Sequence, residues 1–457
     1  MFPFDQAKAK LKDRLLNLLD EVTIEEYPSI FRVEIPLEKI DILNWLYQQS
    51  SHIRIYWSSR DGQFESAGIN AAHVLNGRND SDFRQNLLEL KRILFNSSSK
   101  ARYYGGIRFQ RGVELEEIWK SFGCCRFMLP LFEVTREERQ YQLAANIYLT
   151  DKRDTEQSIR ETVRVLENLQ FNKNVEVSEK IEKFLTRFDF PNREQWERNV
   201  KIVLKEFEHG ELQKVVLARK SLLKFTHTPD PVNLLYKLKK RSPHAFHFLI
   251  QLAKGKAFLG ATPECLYKRS NGNIYSEALA GTRPRGENSI KDKLFEEELQ
   301  TSPKEIREHR VVSQMVGEAL QPLCNDIKKI EDMAIIKLTN VQHLISRFKG
   351  FLINSVVDHQ IIDRLHPTPA VGGLPKNHAL KRITELEPFD RGWYAGPIGW
   401  IGSNSAEFAV AIRSALVFKD TITLYAGSGI VPGSDPQAEW EEIENKILNF
   451  KKLLHLR

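Results

Sequence analysis

Two apolar runs in the middle of the chain, Phe246-His247-Phe248-Leu249-Ile250 and Ala257-Phe258-Leu259-Gly260, follow each other with no helical stretch between them. Both have the composition and length of strands, and neighbouring strands without an intervening helix argue against a doubly wound parallel sheet. Lys214 to Arg219 is a further strand and Pro231 to Arg241 a helix. Long helices are expected at about Lys291 to Leu320 and at Lys376 to Leu386, and the chain closes with strands through Trp400, Phe408 to Arg413 and Thr421 to Tyr425. Nearer the start, Lys10 to Asp20 has helical spacing, while Phe31 to Ile35, His52 to Trp57, Arg126 to Pro130 and Gln140 to Leu149 have strand character. Thr155 to Leu169 is expected to be a helix and the polar stretch Phe171 to Lys180 a loop. That loop is the best internal boundary, although strands on both sides of it can belong to the same sheets. The layout is α+β.

Composition narrows the function. A chain of 457 residues with 41% hydrophobic content can bury a large core. No apolar run approaches the roughly 20 residues that a membrane helix needs. The start, Met1-Phe2-Pro3-Phe4-Asp5, leads into the amphipathic Lys8 to Leu19 and not into a signal-peptide core, so a cytosolic, cytoplasmic protein is expected. Cys124, Cys125, Cys265 and Cys324 lack metal-ligand spacing, and the adjacent pair is poor geometry for a disulfide, which points to reduced thiols. The net charge of +7 is spread among acids. Its one dense cluster, Lys237 to Arg241, falls at a helix C-terminus, where the dipole favours cations, so neither nucleic acid nor membrane is an expected partner. A small acidic substrate suits the balance.

Chemistry concentrates near the C-terminus. Gly427-Ser428-Gly429-Ile430-Val431 reads as a glycine-rich bend, and it runs into Glu439-Trp440-Glu441-Glu442-Ile443-Glu444-Asn445-Lys446. On a helix, Glu439, Glu442 and Lys446 line up on or beside the stripe of Ile443, Ile447 and Phe450. Upstream, Glu308 of Lys304-Glu305-Ile306-Arg307-Glu308-His309 is in register with Val312, Met315 and Ala319. Two helices thus aim carboxylates inward, and charges beside a buried stripe need partners. Taken alone, each feature has a plainer explanation. Lys214 would be a solvated strand-end lysine and Glu264 a turn carboxylate. Arg413 would be a structural strand arginine, His343 a satisfied core histidine, and the glutamates a solvated face.

Several motifs in order change that balance: Lys214 to Arg219, Leu259-Gly260-Ala261-Thr262-Pro263-Glu264, Ala280-Gly281-Thr282-Arg283, Glu308-His309, Leu365-His366-Pro367-Thr368-Pro369-Ala370, Gly396-Pro397-Ile398-Gly399-Trp400, Ala411-Ile412-Arg413 and the glycine-to-lysine block. From Arg198 to Phe450 the chain resembles the chorismate-utilising enzymes, which include isochorismate, salicylate, anthranilate and aminodeoxychorismate synthases. The resemblance implies one large α+β domain over 1–457, with two mostly antiparallel sheets packed face to face and helices outside. Residues 1–180 would be its more variable part and 190–455 the catalytic part. In that family a lysine at the position of Lys214 marks users of water and not ammonia, so no glutamine amidotransferase subunit is expected. Alanine at the position of Ala370 marks isochorismate synthases, where pyruvate-eliminating members carry threonine. Ile55 to Gly62 and Tyr104 to Ile107 are similar to the menaquinone-pathway type. The expected protein is therefore a monomeric isomerase that converts chorismate to isochorismate. A bifunctional salicylate synthase, a siderophore-pathway enzyme and a non-catalytic chorismate-binding protein are the alternatives. Cys265, where arginine or leucine is commoner, and Val371, where some relatives have leucine, depart from the pattern.

The resemblance also implies roles. Lys214 is the base that activates water and Glu264 the acid that protonates the departing hydroxyl, which requires both groups to titrate away from their reference values near 10.4 and 4.3. Glu308 and Glu442 are the expected ligands of Mg²⁺, with Glu305 and Glu439 as further ones acting through water. Arg413, Tyr394, Gly427 and Gly429 are expected on the enolpyruvyl carboxylate, and Lys446 near the metal-bound end. Gly281 and Thr282 face the ring hydroxyl, while His343 and Ala370 line the pocket.

Overall fold

The computed structural model describes residues 1–456 apart from 22–27, 96, 98–99, 152–154, 179 and 339–340. Its strands form a single hydrogen-bonded network whose ladders are all antiparallel. This corrects the expectation of two separate sheets. The junction is the strand Cys125–Glu137. One of its edges pairs with Phe64–Gly77 along nearly its whole length, while the other edge is divided between Arg102–Ile107 and Gln140–Leu149. A strand of 13 residues is long enough to serve two partners on one edge, so the network branches there instead of ending.

From this junction one arm runs through Phe64–Gly77, Arg54–Ser58, Phe246–Ala253, Lys256–Thr262, Ser414–Phe418 and Thr421–Ile430 to Lys214–Phe225. The other runs through Arg102–Ile107, Pro397–Gly402, Ser405–Val410, Cys265–Ser270, Asn273–Pro284 and Val341–Leu352 to Cys324–Lys337. Side chains of the two arms meet. Trp57 Nε1 donates to Glu407 Oε2 at 2.9 Å, and the Phe64 and Trp400 rings lie 5.4 Å apart. These contacts join the two arms of one continuous sheet.

Helix ends follow local chemistry. The stretch expected as one long helix divides into Ser289–Thr301 and Pro303–Leu320. Pro303 has no N–H to continue the first helix, and Ser302 caps the second by accepting from Glu305 N. Pro436–Lys446 begins in the same way, with Asp435 accepting from the N–H groups of Gln437 and Ala438. These two helices carry the carboxylates singled out above. Pro231–Arg241 and Lys376–Leu386 fall at the expected bounds. All four cysteines are free and buried. Among the described residues no helix is long and apolar enough to cross a membrane.

Candidate active site

Every residue singled out as a site candidate lines one cavity of about 380 Å³, reached from strands of both arms and from the helices Pro303–Leu320 and Pro436–Lys446. Lys214 is the first residue of its strand and is only 6% exposed. Its Nζ donates to Glu308 Oε1 at 2.6 Å. The glycine block proves to be strand and not bend: Thr421–Ile430 runs through it in register with Lys214–Phe225, and the turn comes later, around Gly433 at φ +84°. The glycines keep the wall thin. A Cβ on Gly429 would stand 3.0 Å from Lys214 Cε and 3.4 Å from Nζ, and one on Gly427 3.2 Å from the Tyr394 hydroxyl.

Glu264 follows Pro263 at the end of Lys256–Thr262 and is 5% exposed. Burial pushes its carboxyl up to about 7, against the opposing hydrogen bond of Thr368 and the charge of Lys214. Thr368 Oγ1 lies 3.5 Å from Glu264 Oε1, and the Glu264 carbonyl accepts from Val410 N at 3.0 Å.

The carboxylates divide into two kinds. Glu305 and Glu439 are buried, and both oxygens of each are engaged by the protein. Glu305 accepts from Arg283 at 2.7 Å and from Thr282 N at 3.2 Å, and Glu439 from Ser428 at 2.5 Å and Ser434 at 2.8 Å. Glu308 is half-buried and Glu442 stands at the rim, its side chain 50% exposed. Burial works to raise the Glu308 carboxyl, but Lys214 holds it below its ordinary value. Lys446 does the same for Glu442 from 2.5 Å, and also donates to Gly427 O at 2.9 Å. Each of these two carboxylates thus has one lysine partner, and the charge of Glu442 acts on Glu308.

Across the cavity Arg413, at φ +52°, donates to Lys446 O at 2.5 Å and has no ion-pair partner among the described residues. Tyr394 is buried, its hydroxyl pushed up to about 12 by burial, and its ring stacks on Tyr425 at 5.1 Å. His343 Nδ1 is 3.2 Å from Gly281 O and 2.9 Å from Thr282 Oγ1. A carbonyl only accepts, so the proton is assigned to Nδ1. Burial, reinforced by Arg413, pushes the ring down to about 4, and Nε2 is left a buried acceptor without a partner among the described residues. Gly281, at φ +78°, forms the bulge that turns Thr282 toward this histidine. Ala370 contributes its methyl group to the wall.

The family model described as chorismate binding enzyme matches residues 17–455. The chain belongs to the chorismate-binding enzymes. It is 33% identical to the chloroplastic isochorismate synthase of Catharanthus roseus, over 98% of this chain and 85% of that one. It is 30% identical to the isochorismate synthase MenF of Bacillus subtilis, over 90% of each chain. In three dimensions it is similar to MenF, the menaquinone-specific isochorismate synthase from Escherichia coli, with a TM-score of 0.86 and 27% identity over 98% of this chain and 100% of that one.

In this chorismate-binding enzyme the cavity offers a buried carboxyl that holds its proton near neutrality, a lysine on a separate strand, an arginine with no carboxylate partner among the described residues and two mutually repelling glutamates. Among the described residues no group of three or more His, Cys, Asp or Glu could hold a metal ion by itself. A hard cation held by one or two carboxylates, water and a substrate oxygen needs no such group, and Glu308 with Glu442 fits that chemistry. Arg283, which pairs with Glu305, and Thr368, beside Glu264, carried no expected role, although both lie inside the quoted motifs. Their partners are distant in sequence, so spacing carries no sign of them.

Proposed function

We propose that this chorismate-binding enzyme converts chorismate to isochorismate. The observation that carries the proposal is the convergence on one cavity of Lys214 and of a Glu264 carboxyl still half-protonated near neutral pH. Water attacks C2 of the ring and gives its proton to Lys214, which must first give up the proton it now donates to Glu308. The ring double bonds shift, the C4–O bond breaks, and Glu264 delivers its proton to the departing hydroxyl, which leaves as water. One water enters and one leaves, so the net change is isomerisation. Turnover then falls on the alkaline side as Glu264 loses its proton.

Arg413 takes the enolpyruvyl carboxylate, with Tyr394 and the thin wall at Gly427 and Gly429 setting its position. His343 Nε2 accepts a hydrogen bond from a ring hydroxyl, and Gly281 and Thr282 hold the histidine in place. Glu308 and Glu442 would hold Mg²⁺, with Lys446 beside them, whereas Glu305 and Glu439 shape the walls. Bound there, the cation supplies positive charge for the ring carboxylate. Ala370 puts no hydroxyl against the enolpyruvyl arm, which favours release of isochorismate over loss of pyruvate.

The likeness to menaquinone-type relatives supports a place in quinone synthesis, in a cytoplasmic monomer working without an amidotransferase partner. Strands before residue 150 pair with strands after residue 240, which supports treating 1–457 as one domain. Incubation with chorismate and Mg²⁺, with pyruvate read by a coupled reductase and products separated by chromatography, tests the proposal. Isochorismate without pyruvate is expected. Salicylate with pyruvate would move the chain to the lyase branch, and no turnover would leave a binding protein.

A further inference from the structure

The strand that begins with Lys214 has an incomplete edge. Its inner edge pairs with Thr421–Ile430 from Val215 to Lys224. On its outer edge, Gly373–Leu374 pairs with Lys214 and Val215, and Phe184–Phe190 pairs only from Lys220 onward. Residues 216–219 have no strand beside them there, just behind the cavity wall formed by Lys214 and Val216. Unpaired buried backbone groups are costly, so something must satisfy them.

Gly372 O accepts from Val216 N at 2.8 Å, and a buried ion pair takes Val216 O and Ala218 N. Glu387 and Arg391 each have side chains only 3% exposed. Glu387 Oε1 accepts from Ala218 N at 2.7 Å, and Arg391 donates to Val216 O at 2.7 Å. The same guanidinium donates to Val371 O at 2.9 Å, next to Ala370, and to both oxygens of Glu387 at 2.8 and 2.5 Å. It lies 4.3 Å from the centre of the Phe109 ring, and the Arg391 carbonyl accepts from Tyr394 N at 2.9 Å. One planar group with five fixed donors therefore ties together the strand of Lys214, the loop of Ala370 and the segment of Tyr394.

We propose that the Glu387–Arg391 pair is a positioning device for the reaction: it stands in for a missing strand and sets Lys214 in register with Ala370 and Tyr394. Neither residue touches the cavity. The inference rests on the isochorismate-forming function proposed above. Lysine in place of Arg391 keeps the charge but cannot reach Glu387, Val216 O and Val371 O together. Glutamine in place of Glu387 keeps an acceptor for Ala218 N but loses the charge.

Steady-state kinetics of R391K and E387Q, at a temperature where both are folded by circular dichroism, test this. Displacing Lys214 by a fraction of an ångström while Arg413 still holds substrate lowers kcat about 10- to 100-fold in R391K, with KM changed less than about threefold. E387Q loses less. Arg32→Lys, at the buried Arg32–Glu133 pair in the distant Ser29–Leu37 region, serves as a control that lowers the melting temperature and leaves kcat intact. Folded R391K with wild-type kcat, or a loss equal to that of the control, overturns the proposal. If neither variant folds, amide exchange in the wild-type protein decides: Ala218 N must be as protected as its ladder neighbours, and fast exchange there overturns the proposal. Wild-type protein inactive on chorismate would instead refute the proposed function.

Discussion

Replacing Glu264 with glutamine should stabilise the protein at alkaline pH while abolishing turnover. The carboxyl is 5% exposed and its proton affinity is raised from 4.5 to about 7, chiefly by burial. Below about pH 4.5 the native and unfolded states both hold this proton, so the group contributes nothing to pH dependence. As pH rises from there toward 7, the unfolded chain releases the proton and the native state does not, so stability falls. Above about 7 the native state carries a buried carboxylate, at a cost on the order of 3 kcal/mol. Glutamine is neutral throughout and keeps an oxygen for the Thr368 hydroxyl. The variant should therefore match wild type at about pH 4 and exceed it by up to that amount at about pH 8 to 9. In a chain of this length the gain is a few degrees in melting midpoint. His343, whose ring is lowered from 6.5 to about 4, contributes a pH dependence of opposite sign across an overlapping window. It is present in both proteins, so the difference between the two curves isolates Glu264. Chemical denaturation at several pH values gives that difference. A flat difference across the range would refute the account of Glu264 as a carboxyl held protonated by burial, and with it the choice of this residue as the acid.

Other consequences follow from the same geometry. Gly429→Ala should place a methyl 3.0 Å from Lys214 Cε and 4.0 Å from Glu308 Oε1, crowding the ion pair that holds the ammonium, so kcat should fall about tenfold with a stability loss of about 1–3 kcal/mol by denaturant titration. Arg413→Ala should raise KM for chorismate on the order of 100-fold, with a smaller effect on kcat, in steady-state kinetics. Chelation by EDTA should stop turnover, and Mg²⁺ should restore it in wild type but far less in Glu308→Gln, measured by product formation. The pH profile of kcat/KM should decline on its alkaline side as Glu264 loses its proton, a limb that must be missing from any residual activity of Glu264→Gln.

Much of the site was legible because its motifs place chemical groups at the ends of strands and on helix faces, where a local pattern fixes direction. Lys214, Glu264, Arg413 and the glutamates all reach one cavity for that reason. What spacing did not show is which oxygens remain free. Glu305 and Glu308 are neighbours on one helix, yet Arg283 and Thr282 occupy the first while the second faces Lys214. The Gly427 to Val431 block looked like a bend because glycine is common in turns. Its glycines instead clear space beside Lys214 and Tyr394 within a paired strand. The single branched sheet was hidden for a similar reason. Nothing local in Cys125–Glu137 records that one edge is shared by two strands, since that depends on where Arg102–Ile107 and Gln140–Leu149 end. Glu387 and Arg391 are four apart in the segment that follows the helix Lys376–Leu386, and nothing local in that segment marks them as buried. Their burial follows from the gap in a sheet edge far away in sequence.

The claim that water is the nucleophile and the C4 hydroxyl the leaving group is open to a direct test. Chorismate turned over with Mg²⁺ in ¹⁸O-labelled water, followed by mass spectrometry of the isolated isochorismate, should show one heavy oxygen, located at C2. Unlabelled isochorismate would mean that the hydroxyl migrates within the substrate, contradicting the roles given to Lys214 and Glu264.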